Sequence, residues 1–307
     1  MDFRELYYIT MIADCQSITK AAQKLYISQP SLSHLVSKVE NELGVKLFDR
    51  TAYPITQTYA GERYVETARQ ILRLNDNMRR EFSDISEGIA GRITIGMPTE
   101  RVGYMLPRIL PVFKKEYPGI EVVTLEGKSD VLMDSVIKGQ SNFIILPSTI
   151  HNQEVESQLI YREELVYVAG ENLIDESRCI PGHPDQIDVS KLEGVPHVML
   201  RKGHAIRIAA DALFKQHHIV PEYILETGST ITAYSLAMAG VGATIVPLRT
   251  LEMSKAMGRY CCYQIGPEPY PWDVKVFYRK DSYLDNAEQR FIEIAKEIFN
   301  RKKGDGR

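Results

Sequence analysis

The chain has 307 residues, 44% hydrophobic and 25% charged, with a net charge of -3. That length exceeds one ordinary core and implies two or three domains, while the composition excludes extended disorder. A slightly acidic balance excludes a protein that is basic throughout, so any nucleic-acid contact has to come from local charge. The opening MDFRELYYIT lacks the basic and apolar stretches of a secretory leader, and no apolar run reaches the ~20 residues that span a bilayer. A cytoplasmic protein is expected. Cys15, Cys179, Cys261 and Cys262 form no C-x-x-C pair, so reduced, packed thiols are expected, with a redox switch at Cys179 as the alternative.

Three short helices open the chain. Phe3, Leu6, Ile9, Thr10 and Ala13 recur at helical spacing. Ser17 can cap a second helix in which Ile18, Ala21, Ala22 and Leu25 share a face. Ser28 is a second cap, Pro30 fits the first turn of a third helix, and Gly44 stops it. Its core face is Leu32, Leu35, Val36, Val39 and Leu43, which leaves a small, polar outward face. VKLFDR and PITQT then read as two strands joined through Thr51, Ala52, Tyr53 and Pro54, a hairpin shaped like a wing.

From Ala60 to about Glu87 the only breaker is Gly61, which predicts one long helix. Tyr64, Ala68, Ile71, Asn75, Met78, Phe82, Ile85 and Ile89 step alternately by four and three, a heptad seam with Asn75 at an a position. Dimerisation is one reading of that seam, and packing against its own domain is the other.

After Gly88 and Gly91, strands and helices alternate: RITIGM, the helix GYMLPRILPVFKKEYP, IEVVTLEG, the helix SDVLMDSVIKG and NFIILP. A second set runs from Glu163 through ELVYVAG, VPHVML, the helix AIRIAADALFKQHH, EYILET, the helix TITAYSLAMA and GATIVP. WDVKVFYRK and NAEQRFIEIAKEIFNR close the chain as a strand and a helix. The fold class expected is α/β overall, with a mainly parallel sheet in two lobes and a cleft between them. The domains are a winged helix-turn-helix at 1–58, a linker helix at 59–88, a first lobe at 91–162 completed by 267–303, and a second lobe at 163–266.

Ala21-Ala22, Leu25, Ser28 to Ser33, Glu40, Leu43-Gly44, Leu47-Phe48, Arg50-Thr51, Thr56 and Ala60-Gly61 occur in an order that resembles the signature of LysR-type transcription regulators. GMPT, LP followed by FKKEYP, EG, and AGVGATIVP are similar to pieces of that family's effector domain, so the resemblance covers nearly the whole chain. It implies a DNA-binding regulator whose C-terminal domain is periplasmic-binding-protein-like and senses a small molecule. There are departures. His34 stands where the family commonly has Arg, so the bases read do not carry over from the family, and an imidazole there could make binding mildly pH-sensitive. Ile18 replaces a usual Phe, and Asn142 replaces a usual acid, which suggests an unusual cleft edge.

Between Asp14 and Glu40 there is no acidic residue, while Lys20, Lys24, His34 and Lys38 fall in that stretch. Small polar side chains near a recognition helix start reach base edges, and cations and helix ends hold phosphates. Gln29, Ser33 and His34 are the expected base readers. Lys20, Ser28, Pro30, Ser31, Ser37 and Lys38 complete the DNA face, and Arg50 meets phosphate or a minor groove. A dimer would present two such units to an inverted repeat.

Ligands of open α/β sheets sit beyond the carboxyl ends of strands, at helix N-termini. That rule selects Thr99, Glu100, Gly127, Ser129, Thr227, Ser229 and Thr230. Arg201, Lys202, His204 and Arg207 cluster before a helix and suggest a carboxylate effector. Glu100 points instead to an amine or amino acid, and both readings stay open. Gly240 and Gly242 follow a helix and precede a strand, the wrong order for a dinucleotide loop, so no catalytic residue, metal or cofactor is expected. A solute-binding transport protein would share the two lobes but not the winged segment. The partners expected are double-stranded DNA, a small effector, further copies of the chain as homodimer or homotetramer, and RNA polymerase.

Overall fold

The computed structural model describes residues 2–51, 54–85, 91–147, 152–253 and 260–300. The chain divides into two units, Met1–Gly88 and Ile89–Arg307. Among the described residues no helix is long and apolar enough to cross a membrane.

In the first unit, α1 (Phe3–Cys15) begins where Asp2 and Glu5 cap each other reciprocally. Leu6, Ile9, Ile12 and Ala13 are buried, whereas Phe3, which its spacing assigned to the same face, is exposed. Ser17 caps α2 (Ile18–Lys24), and Ser28 caps α3 (Gln29–Leu43), which ends at Gly44 with φ 70°. Leu32, Val36 and Val39 of α3 join the α1 and α2 side chains in one core, while Leu43 lies outside it. The wing is β1 (Phe48–Asp49) paired antiparallel with β2 (Thr56–Gln57). Ala52 and Tyr53 of its turn lie outside the described residues.

Thr58 starts α4 (Tyr59–Ile85) by accepting from Gly61 N–H at 3.0 Å, and its own hydroxyl donates to the Lys46 carbonyl at 2.6 Å. A Cβ at Gly61 would stand 1.9 Å from the Leu47 carbonyl oxygen, so only glycine lets the helix start this close to the wing. The first turns of α4 pack within their own unit. Val65 and Ala68 are buried, Tyr64 is half-buried against the same core, and Arg69 donates to Asp14 at 2.6 Å. Ile71 and Asn75 are half-buried. Leu74, Met78 and Phe82 are exposed at 68%, 50% and 62%, and the Ile85 side chain and Ile89 fall outside the description.

The second unit begins with β3 (Gly91–Met97), α5 (Thr99–Glu116), β4 (Ile120–Glu126), α6 (Ser129–Ile137) and β5 (Phe143–Pro147). It continues with β6 (Val155–Tyr161), β7 (Glu164–Gly170), β8 (Cys179–Ile180), β9 (His183–Ile187), β10 (Pro196–Leu200), α7 (Ala205–Gln216) and β11 (Glu222–Thr227). Then follow α8 (Thr230–Met238), β12 (Thr244–Pro247), β13 (Tyr260–Ile265), β14 (Tyr270–Pro271), β15 (Val274–Arg279) and α9 (Asn286–Asn300).

Two sheets result. The first has the order β4-β3-β5-β15-β6, parallel across β4, β3 and β5 and antiparallel where β15 meets β5 and β6. The second has the order β12-β7-β13-β9-β8 with β14 also on β7, and β7 runs antiparallel to each of its neighbours. The parallel pair β10–β11 stands beside it. Two lobes are present, but the second is not the parallel sheet that alternation alone suggests, because β8, β9, β13 and β14 interrupt the alternation there. The chain passes from the first sheet to the second between Tyr161 and Glu164. It returns between Pro271 and Val274, later than the residue 267 expected, since Tyr270 and Pro271 still pair with β7.

Asn142, expected at the cleft edge, sits instead at the opposite end of β5. It accepts from Thr94 N–H at 2.8 Å and donates to the buried Glu288 carboxylate. An aspartate there would face that carboxylate as a like charge, which is a physical reason for the amide.

Candidate functional site

The carboxyl ends of β3 and β4 feed the N-termini of α5 and α6, while in the other lobe β10 and β11 feed α7 and α8. Between these ends lies a cavity of about 570 Å³, a size ordinary for a small organic ligand. Thr99, Glu100, Gly127 and Ser129 line it from one lobe, and Arg201, Lys202, His204, Ser229 and Thr230 from the other. Thr227 does not line it. That hydroxyl accepts from Ser229 N–H at 3.2 Å and shapes the loop.

The cationic cluster read from LRKGHAIR breaks up. Arg207 is 3% exposed, pairs with Asp211 and Glu226 at 2.8 and 2.7 Å, and stacks on Tyr223, so it braces the lobe. His204 caps α7 by accepting from Ile206 N–H at 3.3 Å through Nδ1, and burial holds its pKa below the ordinary histidine range. A neutral imidazole is no charge partner for an anion. Glu100 reaches across the cleft and accepts from Ile231 N–H, at the start of α8, at 3.3 Å.

Sequence reasoning missed the floor. Glu163 and Trp272 stand in the two passages between sheets, and the Trp272 backbone N–H donates to the Glu163 carbonyl at 2.6 Å. The Glu163 carboxyl accepts from Arg249 N–H at 2.8 Å, and burial raises its pKa against the pull of Arg101 and Arg249. Arg249 donates to the Tyr104 hydroxyl at 2.7 Å and to the Phe299 carbonyl at 2.8 Å. Arg101 donates to the Tyr161 hydroxyl at 2.9 Å. A lone tryptophan after YP and charged residues flanking apolar runs were the only signals, and neither has a spacing that points to a site.

In the first unit, Gln29, Ser31 and His34 are exposed on α3, and Lys20 is exposed on α2. Ser28 is committed to capping, taking Ser31 N–H at 3.3 Å. Arg50 lies back along α3, within 3.5 and 3.4 Å of the Ser33 and Ser37 hydroxyls and 3.4 Å of the Glu40 carboxylate. Glu40 is 2% exposed. Burial alone would raise its pKa, but bonds from Leu47 N–H, Lys46 and Phe48 N–H, with Arg50 nearby, hold it below the usual range. Lys38 turns away from the polar face and donates to the buried Glu5 carboxylate at 2.7 Å, tying α3 to α1.

Comparison with known proteins matches both units. Residues 3–62 match the family described as bacterial regulatory helix-turn-helix protein, lysR family, and residues 86–300 match the LysR substrate binding domain. The regulator BsdA of Bacillus subtilis is 28% identical over 96% of this chain and 100% of its own. The dual regulator OxyR of Escherichia coli is 27% identical over 99% and 97%. In fold, a full-length OxyR variant from Pseudomonas aeruginosa superposes with a TM-score of 0.72 at 20% identity, covering 97% of each chain. Full-length CbnR complexed with its target DNA gives 0.59 at 22% identity, covering 97% of this chain and 99% of that one.

The Glu5–Lys38 bond makes an acid-stability test. The bond from Lys38, then that from Asp2 N–H, brings the Glu5 carboxyl from 4.5 down to about 2. A depressed carboxyl stabilises the fold above its unfolded value, and that contribution is lost as pH falls from 4.5 toward 2. Urea unfolding across this window should show Glu5→Gln losing less stability than the wild type, although it starts less stable. Equal losses would mean that the ion pair contributes nothing.

Proposed function

This chain belongs to the LysR family and is a DNA-binding transcription regulator with an effector domain, and on that premise we propose that a small organic molecule held in the 570 Å³ cavity sets its activity. The observation that carries the reading is the convergence of helix N-termini from both lobes on a floor made by both chain passages. A ligand there touches each lobe and the hinge at once, so its binding energy can favour one lobe arrangement over another. Thr99 and Ser129 would hold it from one side, Thr230 and Ser229 from the other, with Glu100 and the Arg201–Lys202 loop at the rim. The site is one of binding rather than catalysis: His204 spends its acceptor nitrogen on the backbone and Glu163 spends its carboxyl on Arg249 N–H.

Several relatives are named hydrogen peroxide-inducible genes activators. Cys179 and Cys262 are poorly suited to that response. Thiol oxidation needs a stabilised thiolate, whereas burial raises the Cys179 thiol and pushes Cys262 up to about 11.

For the DNA unit, residues 1–58, we propose Gln29, Ser33 and His34 as base readers, with Lys20, the α3 N-terminus and Arg50 on phosphates. Lys38 holds the recognition helix in place. Residues 59–88 would be the dimerising helix, narrowed to its distal part because Tyr64 and Ala68 pack within their own unit. The lobes would be 91–162 with the returning segment, and 163–266. RNA polymerase and pairing of dimers belong to the same proposal, as does a cytoplasmic location beside the DNA.

Replacing Met78 and Phe82 together with Glu should convert a dimer to a folded monomer in sedimentation, since each chain would bring two charges into an apolar seam. An unchanged mass would move the dimer contact elsewhere. A library of metabolites should contain members that raise the melting temperature of the wild type. A ligand at a hundred times its Kd adds about 2.7 kcal/mol, and Ser129→Trp, filling the cavity, should abolish the rise. Hits that still stabilise a folded Ser129→Trp protein would place the site outside the cavity.

A further inference from the structure

We infer that the ligand of this cavity carries a carboxylate and seats it on the hinge floor, against Arg101 and Trp272, rather than at the N-terminus of α8. The inference rests on the cavity being the effector site, and adds the ligand's class and its orientation there.

The two ends of the cavity differ in what they leave unfilled. At the α8 end the N–H of Ile231 already donates to Glu100, so a carboxylate of the chain itself occupies the place where a helix N-terminus favours an anion. Next to it, His204 points an acceptor nitrogen at the backbone of α7 and offers no charge.

The floor is the reverse. Arg101 uses Nη1 on the Tyr161 hydroxyl, and its Nε–H is buried with no acceptor. Trp272 is 2% exposed, lines the cavity, and its indole N–H also has no acceptor. Among the described residues with buried, unpartnered polar atoms, these two line the cavity, and both atoms are donors. The Glu163 carboxyl beside them already serves Arg249 N–H. Two guanidinium groups, Arg101 and Arg249, face the Glu163 carboxyl, Glu252 being paired with Arg108, and the Arg101 Nε–H is to spare. An amine would add a third cation, whereas a carboxylate accepts from both orphaned donors and balances the charge. Tyr104, Ile206 and Met253 supply apolar wall for the remainder of the ligand.

The position also explains how such a ligand would reach the hinge. Trp272 stands in the returning passage and Glu163 in the outgoing one, joined by the 2.6 Å backbone bond, so a head group on the indole bears on the joint itself.

Trp272 is the single tryptophan of the chain, so intrinsic emission reads this floor directly. The full-length protein is titrated with matched acids and amides: benzoate and benzamide, phenylacetate and phenylacetamide, succinate and succinamide. At least one acid should shift the emission while its amide does not. Arg101→Gln should weaken that acid roughly tenfold or more, Arg101→Lys less, and calorimetry should find no binding to Ser129→Trp, whose second indole would mask the Trp272 emission. Calorimetry of Trp272→Phe should show weakened binding, and unchanged melting temperatures would exclude misfolding. An acid that binds with full affinity to Arg101→Gln but not to Ser129→Trp would overturn the orientation and leave the cavity reading intact. Binding only of amides, or of no member of the series, would overturn the carboxylate. In that case, library hits lost in Ser129→Trp would still support the cavity.

Discussion

The hydrogen bond from Trp272 N–H to the Glu163 carbonyl joins the only two described passages between the sheets of the second unit, and the site is arranged around it. Without that bond the lobes would be linked by two independent tethers. With it they share one joint, fixed further where Glu163 takes Arg249 N–H and Arg249 reaches the Tyr104 hydroxyl and the last turn of α9. Arg249 comes from the lobe of β12, while Tyr104 and Phe299 belong to the other lobe. Its guanidinium, lying over the Tyr161 and Phe299 rings at 4.7 and 5.4 Å, is thus held by both. A small occupant of the cavity above this joint touches both lobes and both passages at once.

The first unit uses the same device at smaller scale. Glu40 is a buried acid whose oxygens collect the N–H groups of Leu47 and Phe48 and the cations of Lys46 and Arg50. It fixes the wing to α3, as Gly61 fixes α4 to the wing. Glu40 is kept ionised in a low-dielectric place because it is saturated with donors, so stripping one away would leave the rest costly, whereas Glu163 takes one backbone donor and burial pushes its pKa up.

Much of this was legible in the sequence where the signal is local. Ser17, Ser28 and Gly44 mark helix ends by their own hydrogen bonding and backbone preference, so α2 and α3 could be placed within a residue or so. The ordered match from Ala21 to Gly61 carried the family. Thr99, Ser129 and Thr230 line the cavity, as helix N-termini at strand ends should by a rule of topology. What escaped depends on partners distant in sequence. β6 and β13 have weak patterns of their own and exist through pairing with β15 and β7. Arg207 and Lys38 looked like free cations until Glu226 and Glu5 appeared beside them. Tyr64 and Ala68 lie on a faultless heptad seam, yet α1 takes that stretch for its own core. Trp272 and Arg101 have no local signature, since their roles come from two chain passages more than a hundred residues apart.

For a LysR-type regulator, the proposed reading of DNA sequence by α3 and its wing is the property on which all else rests. Selection from randomised duplexes with the full-length protein, followed by affinity at rising salt, tests it most directly. Enrichment of an inverted repeat is expected, with binding that weakens steeply as salt displaces the protein from phosphate. Retention of duplexes without any enriched sequence would contradict it.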